Sequence, residues 1–405
     1  MNTTIKLAVA SALFAAASTA SAGIMIPAGD WTLDIGGNVN AYYTNTHGSG
    51  ASVAGGLGGS APAAGQSSNT SNITTGLLPN FLTVSGKTRE NDLDVAFTIS
   101  IQPGAATATA GTLGSMNQRQ AFLTFGDKSW GSIKLGKDLG IFASDAILSD
   151  MTLLGVGAGA ASVGNTTLGR IGTGYLYADW KSQIAYSSPN WNGFSFTAGV
   201  TQAWDQLSSN NGATTPVNYS ATSTGRGGSE PAFEGKASYE WAGDVAGKVW
   251  VSGITQKVQS LGITNLGTQR AEAVDIGANV NVAGFGLTGY YYDGSGVGTT
   301  LQMLNGFDTA GNKRDSNGGY VQATYTIPNV GTKLGISWGE SKLDKTAQET
   351  ASNLVAKNEM WTIGAYHPLT KHLNLVAEYS DVKAKAQDNT EGKAQTVSLG
   401  AILFF

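Results

Sequence analysis

The feature that most constrains this chain is a repeated alternation of apolar and polar residues with a period of two. The apolar face of segment 93–101 consists of Leu93, Val95, Phe97, Ile99 and Ile101. The same alternation recurs at 194–201, 233–241, 274–280 and 333–338. Successive side chains of a β-strand point to opposite sides, so the pattern predicts strands with one apolar and one polar face.

Sixteen such segments follow one another along the chain. They begin near residues 33, 77, 92, 117, 132, 182, 194, 233, 247, 271, 286, 318, 332, 358, 373 and 395. Seven short and eight long connections alternate between them, whereas a solenoid would repeat one fixed length. An even number of strands with turns at one end and loops at the other is typical of outer-membrane barrels. The sequence therefore predicts an all-β fold, a transmembrane antiparallel β-barrel of 16 strands.

The composition agrees with export from the cytoplasm. Charged residues make up 13% of the chain, against roughly 25% in ordinary globular proteins, and cysteine is absent. The net charge of −4, without a basic block, gives no support for nucleic-acid binding. Lys6, an apolar run at 7–17 and small residues at 20–22 predict a signal peptide over residues 1–22. The remaining domain, 23–405, is then either a soluble exported β-protein or an outer-membrane β-barrel.

Aromatic residues fall mostly near the ends of the predicted strands. They are Trp31, Tyr42, Tyr43, Trp130, Trp191, Trp241, Tyr290, Tyr291, Trp361 and Tyr379. Aromatic girdles occupy such positions in outer-membrane barrels, because an amphipathic ring suits the level of the headgroups. The core of a β-sandwich would also use aromatic residues, so this alternative stays open. The chain ends on an alternating segment, 397–405, which suits a last strand that pairs with the first.

One connection, residues 136–173, is the longest interruption of the repeat. It mixes apolar residues, many small residues and the aspartates Asp138, Asp145 and Asp150. Connections this long inside a compact fold are usually functional or disordered. We expect this third long loop to fold into the lumen of the barrel and to narrow a pore.

Several segments give a more specific indication. Residues 117–122 read NQRQAF, residues 130–137 read WGSIKLGK, and residues 183–194 read QIAYSSPNWNGF. With these segments and the terminal Phe405, the mature chain resembles the general diffusion porins of the Gram-negative outer membrane over essentially its whole length. The first two segments are similar to that family's fourth and fifth strands. The third resembles the strand–turn–strand that follows the family's third loop.

The resemblance implies a function, a location and partners. Porins of this kind are homotrimers embedded in outer-membrane lipid, and each subunit is a passive diffusion pore for small hydrophilic solutes and ions. Phe405 and Leu403 match the family's assembly signal, which the outer-membrane insertion machinery reads. The resemblance implies no cofactor. The alternative on the same fold is a substrate-specific channel for a sugar, phosphate or an organic acid.

The resemblance also implies which residues form the pore constriction. They are Asp145 and Asp150 on the inward loop, Arg119 on the opposing wall, Arg170 where the loop rejoins the barrel, and Lys134 and Lys137 on the strand that leads into the loop. Carboxylates facing guanidinium groups would create a transverse field that favours polar solutes. We therefore expect the two aspartates to oppose the two arginines. Charges that only pair with one another or solvate a loop are the common alternative.

Two positions depart from the family's pattern. Phe81 stands where these porins often carry another arginine on the second strand, and Leu153 or Leu154 stands where they often carry a glutamate. The charge ladder is therefore thinner, and the resemblance leaves the strength and the sign of ion selectivity open. Imperfect alternation around Phe122 also leaves the direction of the Arg119 side chain open.

An enzyme of the outer membrane is the main competing class. Acid–base or nucleophilic catalysis would require a histidine beside a serine or a carboxylate. His47 lies in a Gly/Ser-rich loop, whereas His367 and His372 flank a short turn at the opposite end. We expect no catalytic residues and no metal site, because these histidines form no cluster and no calcium-loop spacing occurs. A soluble secreted adhesin is the third class, and it would be extracted without detergent.

Overall fold

The computed structural model describes residues 23–105, 116–159, 162–163, 165–203, 230–258, 268–308 and 310–405. The predicted signal peptide, residues 1–22, lies outside the described residues. Most of the second, fourth and fifth predicted loops also lies outside them.

The described residues contain twenty strands, one α-helix and one 3-10 helix. The strands are β1 (Ile24–Ala28), β2 (Trp31–Gly50), β3 (Asn69–Thr74), β4 (Phe81–Glu90), β5 (Leu93–Pro103), β6 (Met116–Asp127), β7 (Gly131–Leu139), β8 (Ser162–Val163), β9 (Thr166–Thr167), β10 (Trp180–Ser187), β11 (Phe194–Thr201), β12 (Ala232–Trp241), β13 (Val245–Val258), β14 (Gln269–Val282), β15 (Phe285–Ser295), β16 (Asp315–Thr326), β17 (Lys333–Leu343), β18 (Val355–Pro368), β19 (Leu373–Ala386) and β20 (Glu391–Phe404). Helix α1 (Ser144–Ser149) and the 3-10 helix (Met151–Leu154) lie between β7 and β8. Neither helix has the length and apolar character needed to cross a bilayer.

The main sheet closes on itself. It contains eighteen strands, while β8 and β9 pair only with each other. β20 pairs antiparallel with β2, from Asn38–Phe404 to Gly50–Gly392, and so joins the end of the sheet to its beginning. β1 pairs with the first part of β2 and continues the line of β20, whereas β3 pairs with a later part and continues the line of β4. The eighteen strands therefore occupy sixteen positions, which confirms the predicted closed antiparallel barrel.

Side chains alternate between the two faces of the wall. Large apolar residues on the outer face expose more than half of their surface, among them Val39, Ile73, Ile99, Ile184, Val274 and Leu399. Their neighbours along the strands point inward and are often polar, as Asn38, Asn40 and Thr44 on β2 are. An apolar outside around a polar inside is the arrangement of a barrel surrounded by lipid.

The aromatic residues expected to form a girdle divide between the two faces of the wall. Tyr43 and Trp361 expose 48% and 49% of their surface on the outer wall. Tyr42 and Tyr290 are only 1% and 5% exposed, and they face the interior. Each of them directly precedes an outward tyrosine, Tyr43 or Tyr291, and a period of two places neighbours on opposite sides.

The first long loop, predicted over 46–75, is shorter than expected. β2 continues to Gly50, and β3 occupies residues that were expected to be loop. β3 pairs with β2 from Tyr42–Thr74 to His47–Asn69 and covers an edge that β4 leaves open. Backbone pairing of this kind satisfies N–H and C=O groups whatever the side chains are, so a Ser/Thr/Asn-rich composition does not exclude it.

The short connections form tight turns at one end of the barrel. At 190–193 the Asn190 side chain accepts the Gly193 N–H at 2.6 Å. Asn192 and Gly193 have φ values of 52° and 102°, a region that asparagine and glycine tolerate best. The sequence of this turn thus explains its shape, and the predicted short connection is confirmed.

Candidate functional site

The segment 136–173, here called the long loop, leaves the barrel at β7 and rejoins it before β10. Asp150 shapes its middle by capping the 3-10 helix. Its carboxylate accepts the Thr152 N–H at 2.9 Å and the Thr152 hydroxyl at 2.6 Å. An aspartate at this position satisfies N–H groups that the start of a helix leaves unpaired. One predicted site residue is thus engaged within the loop itself.

The first part of the long loop is held by Glu234, which faces inward from β12. One carboxylate oxygen accepts the N–H groups of Ile141 and Phe142 at 2.8 and 2.9 Å. The other oxygen accepts Lys181 Nζ at 2.5 Å and the Thr201 hydroxyl at 2.8 Å. Because both side chains of the Lys181–Glu234 pair are 0% exposed, loss of one partner would leave an uncompensated buried charge.

The middle of the long loop rests against β16. The Tyr320 hydroxyl donates to the Ala146 carbonyl at 2.8 Å. The Gln322 side chain accepts the Met151 N–H at 2.7 Å and donates to the Ser149 carbonyl at 3.1 Å. Side chains of a barrel strand thereby replace hydrogen bonds that this short helical stretch cannot make internally.

Glu378 on β19 holds the loop beyond the helices. Its Oε2 accepts the N–H groups of Val156 and Gly157 at 2.7 and 2.9 Å, and its Oε1 accepts the Tyr366 hydroxyl at 2.6 Å. A Cβ on Gly155 would lie 2.1 Å from Oε1, so glycine allows this approach. The contact therefore depends on small residues in the loop.

Sequence reasoning did not identify Glu234 and Glu378 as site residues. Each lies at an inward position of an alternating strand, which is a signal the sequence contains. Their partners, however, are backbone N–H groups that lie about 90 and 220 positions away in the chain. A residue pattern does not record such partners.

Asp145 lies on α1 and forms ion pairs with two lysines of the wall. Lys236 Nζ is 3.0 Å and Lys248 Nζ is 2.6 Å from the carboxylate. Burial alone would raise the pKa of Asp145, but the two lysines outweigh it and lower the pKa to about 2. The partners of Asp145 are thus these lysines of β12 and β13, and neither of the arginines expected from the sequence lies in an ion pair with it.

Arg170 is fully buried, and Asp150 is among the charged groups that act on its guanidinium. Its guanidinium donates to the Met360 carbonyl at 3.1 Å and to the Ser337 hydroxyl, and it lies 5.9 Å from the centre of the Tyr320 ring. Asp150 instead accepts the Tyr175 hydroxyl at 2.8 Å. Arg170 therefore ties residues 165–179, the end of the long loop and its link to β10 and here called the returning arm, to β17 and β18.

Arg119 on β6 also lies beside the returning arm. Its guanidinium reaches the Tyr177 hydroxyl and the Asn165 side chain, both at 3.3 Å, and stacks 5.8 Å from the centre of the Trp180 ring. Its backbone N–H donates to Gln102 at 2.9 Å, next to an irregularity in the pairing of β5 and β6. That irregularity explains why alternation alone left the Arg119 direction open.

The two lysines of β7 lie on opposite faces. Lys134 pairs with Asp138 and lies 4.8 Å from the centre of the Phe122 ring. Lys137 is paired in register with Ser182 on the outer face, and its Nζ donates to the Gln118 carbonyl at 2.9 Å. The structure therefore separates Lys137 from the other residues predicted for the constriction.

Residues 296–314, here called the sixth loop, pack on the returning arm. The Gln302 side chain accepts Lys181 Nζ at 2.6 Å and donates to the Tyr177 carbonyl at 3.0 Å. The Thr300 carbonyl accepts the Tyr177 N–H at 2.9 Å. Gln302 is 1% exposed, so it connects the two loops from a buried position.

The chain end lies at the point where the barrel closes. Phe405 and Gly37 exchange two backbone hydrogen bonds, at 2.9 and 3.1 Å. Leu403 is 41% exposed on the outer face, whereas Phe404 is 3% exposed inside. The role of Phe405 and Leu403 as an assembly signal stays a prediction.

The part of the chain that the structure describes contains no group of three or more His, Cys, Asp or Glu side chains arranged to hold a metal ion. His47 contacts Asn69 at 3.2 Å, and His367 contacts Thr332 at 2.9 Å. These contacts stabilise the local structure around each histidine.

Solved structures of outer-membrane channels share this fold. The channel DcaP of Acinetobacter baumannii is 19% identical, over 95% of this chain and 100% of that chain, with a TM-score of 0.68. OmpF of Salmonella typhi, in complex with daunomycin, is 16% identical over 94% and 100% of the two chains, with a TM-score of 0.58. In-vitro folded OmpT of Vibrio cholerae, in a trimer form, is 12% identical over 93% and 99%, with a TM-score of 0.54. At such identities the likeness shows the fold alone.

A comparison with curated protein sequences finds no match. A family model described as Gram-negative porin matches residues 8–387, which include nearly all of the barrel and the whole long loop. That description is of a pore-forming protein and not of an enzyme class. The closed barrel, its apolar outer face and this match lead to one conclusion: the chain belongs to the Gram-negative porin family.

Proposed function

We propose that the protein is a passive diffusion pore for small hydrophilic solutes and ions, and that the long loop folds into the barrel and narrows it. One observation carries this proposal: the hydrogen-bond partners of the long loop are inward-facing side chains of the wall. They lie on β12, β16, β17 and β19 and include Glu234, Gln322, Ser337 and Glu378. A loop held from within in this way reduces the cross-section that solutes can use.

The proposed constriction contains Asp145, Asp150, Arg119, Arg170 and Lys134. The contacts of Asp145 with lysines of the wall, and of Arg170 with the wall itself, support a loop fixed by charge. We do not include Lys137, because its side chain lies on the outer face of β7 and does not face the lumen.

The location and assembly follow from the family. We propose an outer-membrane protein, surrounded by lipid, that is exported through a cleaved signal peptide at residues 1–22. The family and the trimer form of OmpT support a homotrimer with one pore in each subunit. Phe405 and Leu403 would be the signal that the insertion machinery reads.

A substrate-specific channel is the second candidate. The observation that favours it is the sixth loop, which packs on the returning arm through Gln302 and Thr300. A second loop beside the first would narrow the passage further, and a narrower passage discriminates more strongly between solutes.

Conductance of the purified protein in planar bilayers tests both candidates. A passive pore gives ohmic current steps that no single solute blocks at low concentration. Block by one sugar, phosphate or organic acid at low concentration would establish the specific channel instead. Absence of any conductance from correctly folded protein would refute both candidates.

The position of the long loop has its own test, because the chain contains no cysteine. Ser149 is partly exposed on the loop, and a Ser149→Cys thiol can be modified from solution by a charged methanethiosulfonate reagent. We expect modification to reduce the conductance, whereas Ser182→Cys on the outer face leaves it unchanged. Equal conductance before and after modification of Ser149→Cys would place the loop outside the current path.

A further inference from the structure

The acids that contact the long loop or surround it are buried and fully engaged. Asp145, Asp150, Glu234, Asp275 and Glu378 are each at most 5% exposed. Each of them accepts at least two hydrogen bonds from lysine, hydroxyl or backbone N–H donors. Asp275, for example, accepts the Ser252 N–H at 2.9 Å, the Ser252 hydroxyl at 2.7 Å and the Tyr290 hydroxyl at 3.0 Å. These carboxylates therefore present little charge to a passing solute.

The basic side chains around the same loop are more accessible. In the ion pairs of Asp145, the lysine side chains of Lys236 and Lys248 are 24% and 26% exposed, whereas the aspartate side chain is 6% exposed. Lys236 and Lys248 thus share the covered carboxylate of Asp145, and Lys248 also pairs with the carboxylate of Glu240 at 3.1 Å. An exposed charge acts on a solute more strongly than a covered one whose field is compensated by its hydrogen-bond partners.

Two further cations lack a carboxylate partner. Lys333 is partly exposed on β17, and its side chain lies 5.1 Å from the centre of the Tyr366 ring. Among the described residues, no carboxylate oxygen lies within 4.0 Å of Lys333 or Arg119. Asp179, at the end of the returning arm, accepts the Trp180 N–H at 2.6 Å and forms no ion pair with either cation.

Exposed acids lie toward the end of the barrel that carries the short turns, and one of them, Glu240, borders Lys248. Glu240 is 55% exposed in its side chain and accepts Lys248 at 3.1 Å. Arg89 and Asp94 also pair near that end, at 2.8 Å. Charges of both signs at this end of the barrel offset each other, so selectivity is decided where the passage is narrow.

We propose that the interior surface beside the long loop is cationic, and that the pore selects small anions, both inorganic anions and carboxylates. This inference rests on the proposed pore function. Lys236 and Lys248 are the residues that determine the specificity, because they combine positive charge, exposure and a position against the loop. Lys333 adds positive charge along the same passage.

Reversal potentials across a bilayer under a potassium chloride gradient test the inference. We expect wild-type channels to give a chloride-to-potassium permeability ratio above one. The double substitution Lys236→Gln and Lys248→Gln should lower this ratio about twofold or more, since it removes two exposed charges. The charge-preserving Lys236→Arg and Lys248→Arg variant should keep the ratio. Replacing chloride by succinate on one side extends the same measurement to a carboxylate.

Controls separate the charge of the interior from the charge of the whole protein. Lys342→Gln with Lys393→Gln removes two exposed lysines from the outer face and should leave the ratio unchanged. If the double interior variant does not fold, Lys333→Gln alone should still lower the ratio. Ohmic wild-type channels that prefer potassium would overturn the anion proposal while leaving the pore function intact. Folded protein without conductance would refute the pore function itself.

Discussion

Glu234 and Glu378 hold the long loop in the same manner, although they lie on β12 and β19. Each carboxylate accepts the N–H groups of two consecutive loop residues with one oxygen and a side-chain donor of the wall with the other. A pair of adjacent N–H groups pointing to one anion is a compact way to fix backbone. The loop is thus fastened on both sides of its helical middle.

The Glu378→Gln variant should loosen the loop without unfolding the barrel. An amide retains one acceptor oxygen, and hydrogen bonds to a charged group are worth about 1.5–3 kcal/mol each. We expect more current noise and more frequent brief closures in single-channel recordings. Glu391→Gln, which removes a carboxylate from the outer pair with Lys383, should record like wild type. Identical noise in both variants would show that the Glu378 contact does not restrain the loop.

The Gly157→Ala variant should destabilise the folded protein. Gly157 has a φ of 58°, and a Cβ there would lie 2.6 Å from backbone atoms of Gly169. We expect a loss of about 1–3 kcal/mol from overpacking and a further cost from the left-handed backbone. Urea-induced unfolding in detergent measures it. Gly289→Ala is the matched control, because nothing lies within 4 Å of a Cβ at that position. An equal midpoint for both variants would contradict the prediction.

Neutralising the loop aspartates should shift selectivity toward anions, because the charges of Lys236 and Lys248 then lose the carboxylate that compensates them. The Asp145→Asn substitution removes the carboxylate that Lys236 and Lys248 share, and Asp150→Asn removes the charge nearest Tyr175. The reversal potential of the double variant should move in the direction of the chloride potential. An unchanged reversal potential, in channels of normal conductance, would mean that this loop does not line the constriction.

The contribution of Asp145 should persist to low pH. Its pKa in the folded protein is about 2, below the value of roughly 3.9 expected for an unfolded chain. The carboxylate therefore adds stability above about pH 4, and this stability is lost as the pH falls through the folded pKa. The difference in reversal potential between wild type and Asp145→Asn should stay constant from neutral pH to about pH 4. A difference that disappears already near pH 5 would show that the lysines do not lower this pKa.

Removing the Gln302 side chain should affect the long loop although Gln302 belongs to the sixth loop. The Gln302→Ala variant leaves Lys181 with one partner fewer and the Tyr177 carbonyl without its amide donor. We expect voltage-induced closure at lower voltage than in wild type. The control is Gln395→Ala, whose exposed amide contacts Asp381 on the outer face. Wild-type closure in Gln302→Ala would show that the two loops act independently.

The alternation of apolar and polar residues was sufficient to predict the barrel, but it was insufficient to predict the side-chain contacts inside the barrel. A period of two determines which face each strand residue occupies, so Tyr43 and Leu399 are outward as alternation predicts. The same rule, applied residue by residue, would also have placed Tyr42 inside. The pairing irregularity beside Gln102 is a property of two strands together, and one strand's sequence does not reveal it.

Contacts across the barrel depend on positions that are distant in the chain. Asp145 meets Lys236 and Lys248, which are 91 and 103 positions away. Sequence reasoning expected charged partners for this aspartate but assigned them to the arginines. Any inward-facing cation on a neighbouring strand could have paired with Asp145, because Coulomb attraction determines the sign of the partner's charge and not which residue carries it. Only the register of the strands decides between them.

The pairing of β2 with β20 has a consequence for how the protein reaches its folded state. The Thr46 and Thr396 hydroxyls, 2.9 Å apart in the closed wall, are separated by 350 positions of the chain. Contacts between residues so far apart in the sequence form slowly, because the chain loses the entropy of closing the loop before the strands gain hydrogen bonds. Until then the sheet has two open edges, each able to pair with another chain. Aggregation competes with closure throughout this interval, so a factor that shields the first and last strands would raise the yield of folded pores more than one acting on the middle of the chain.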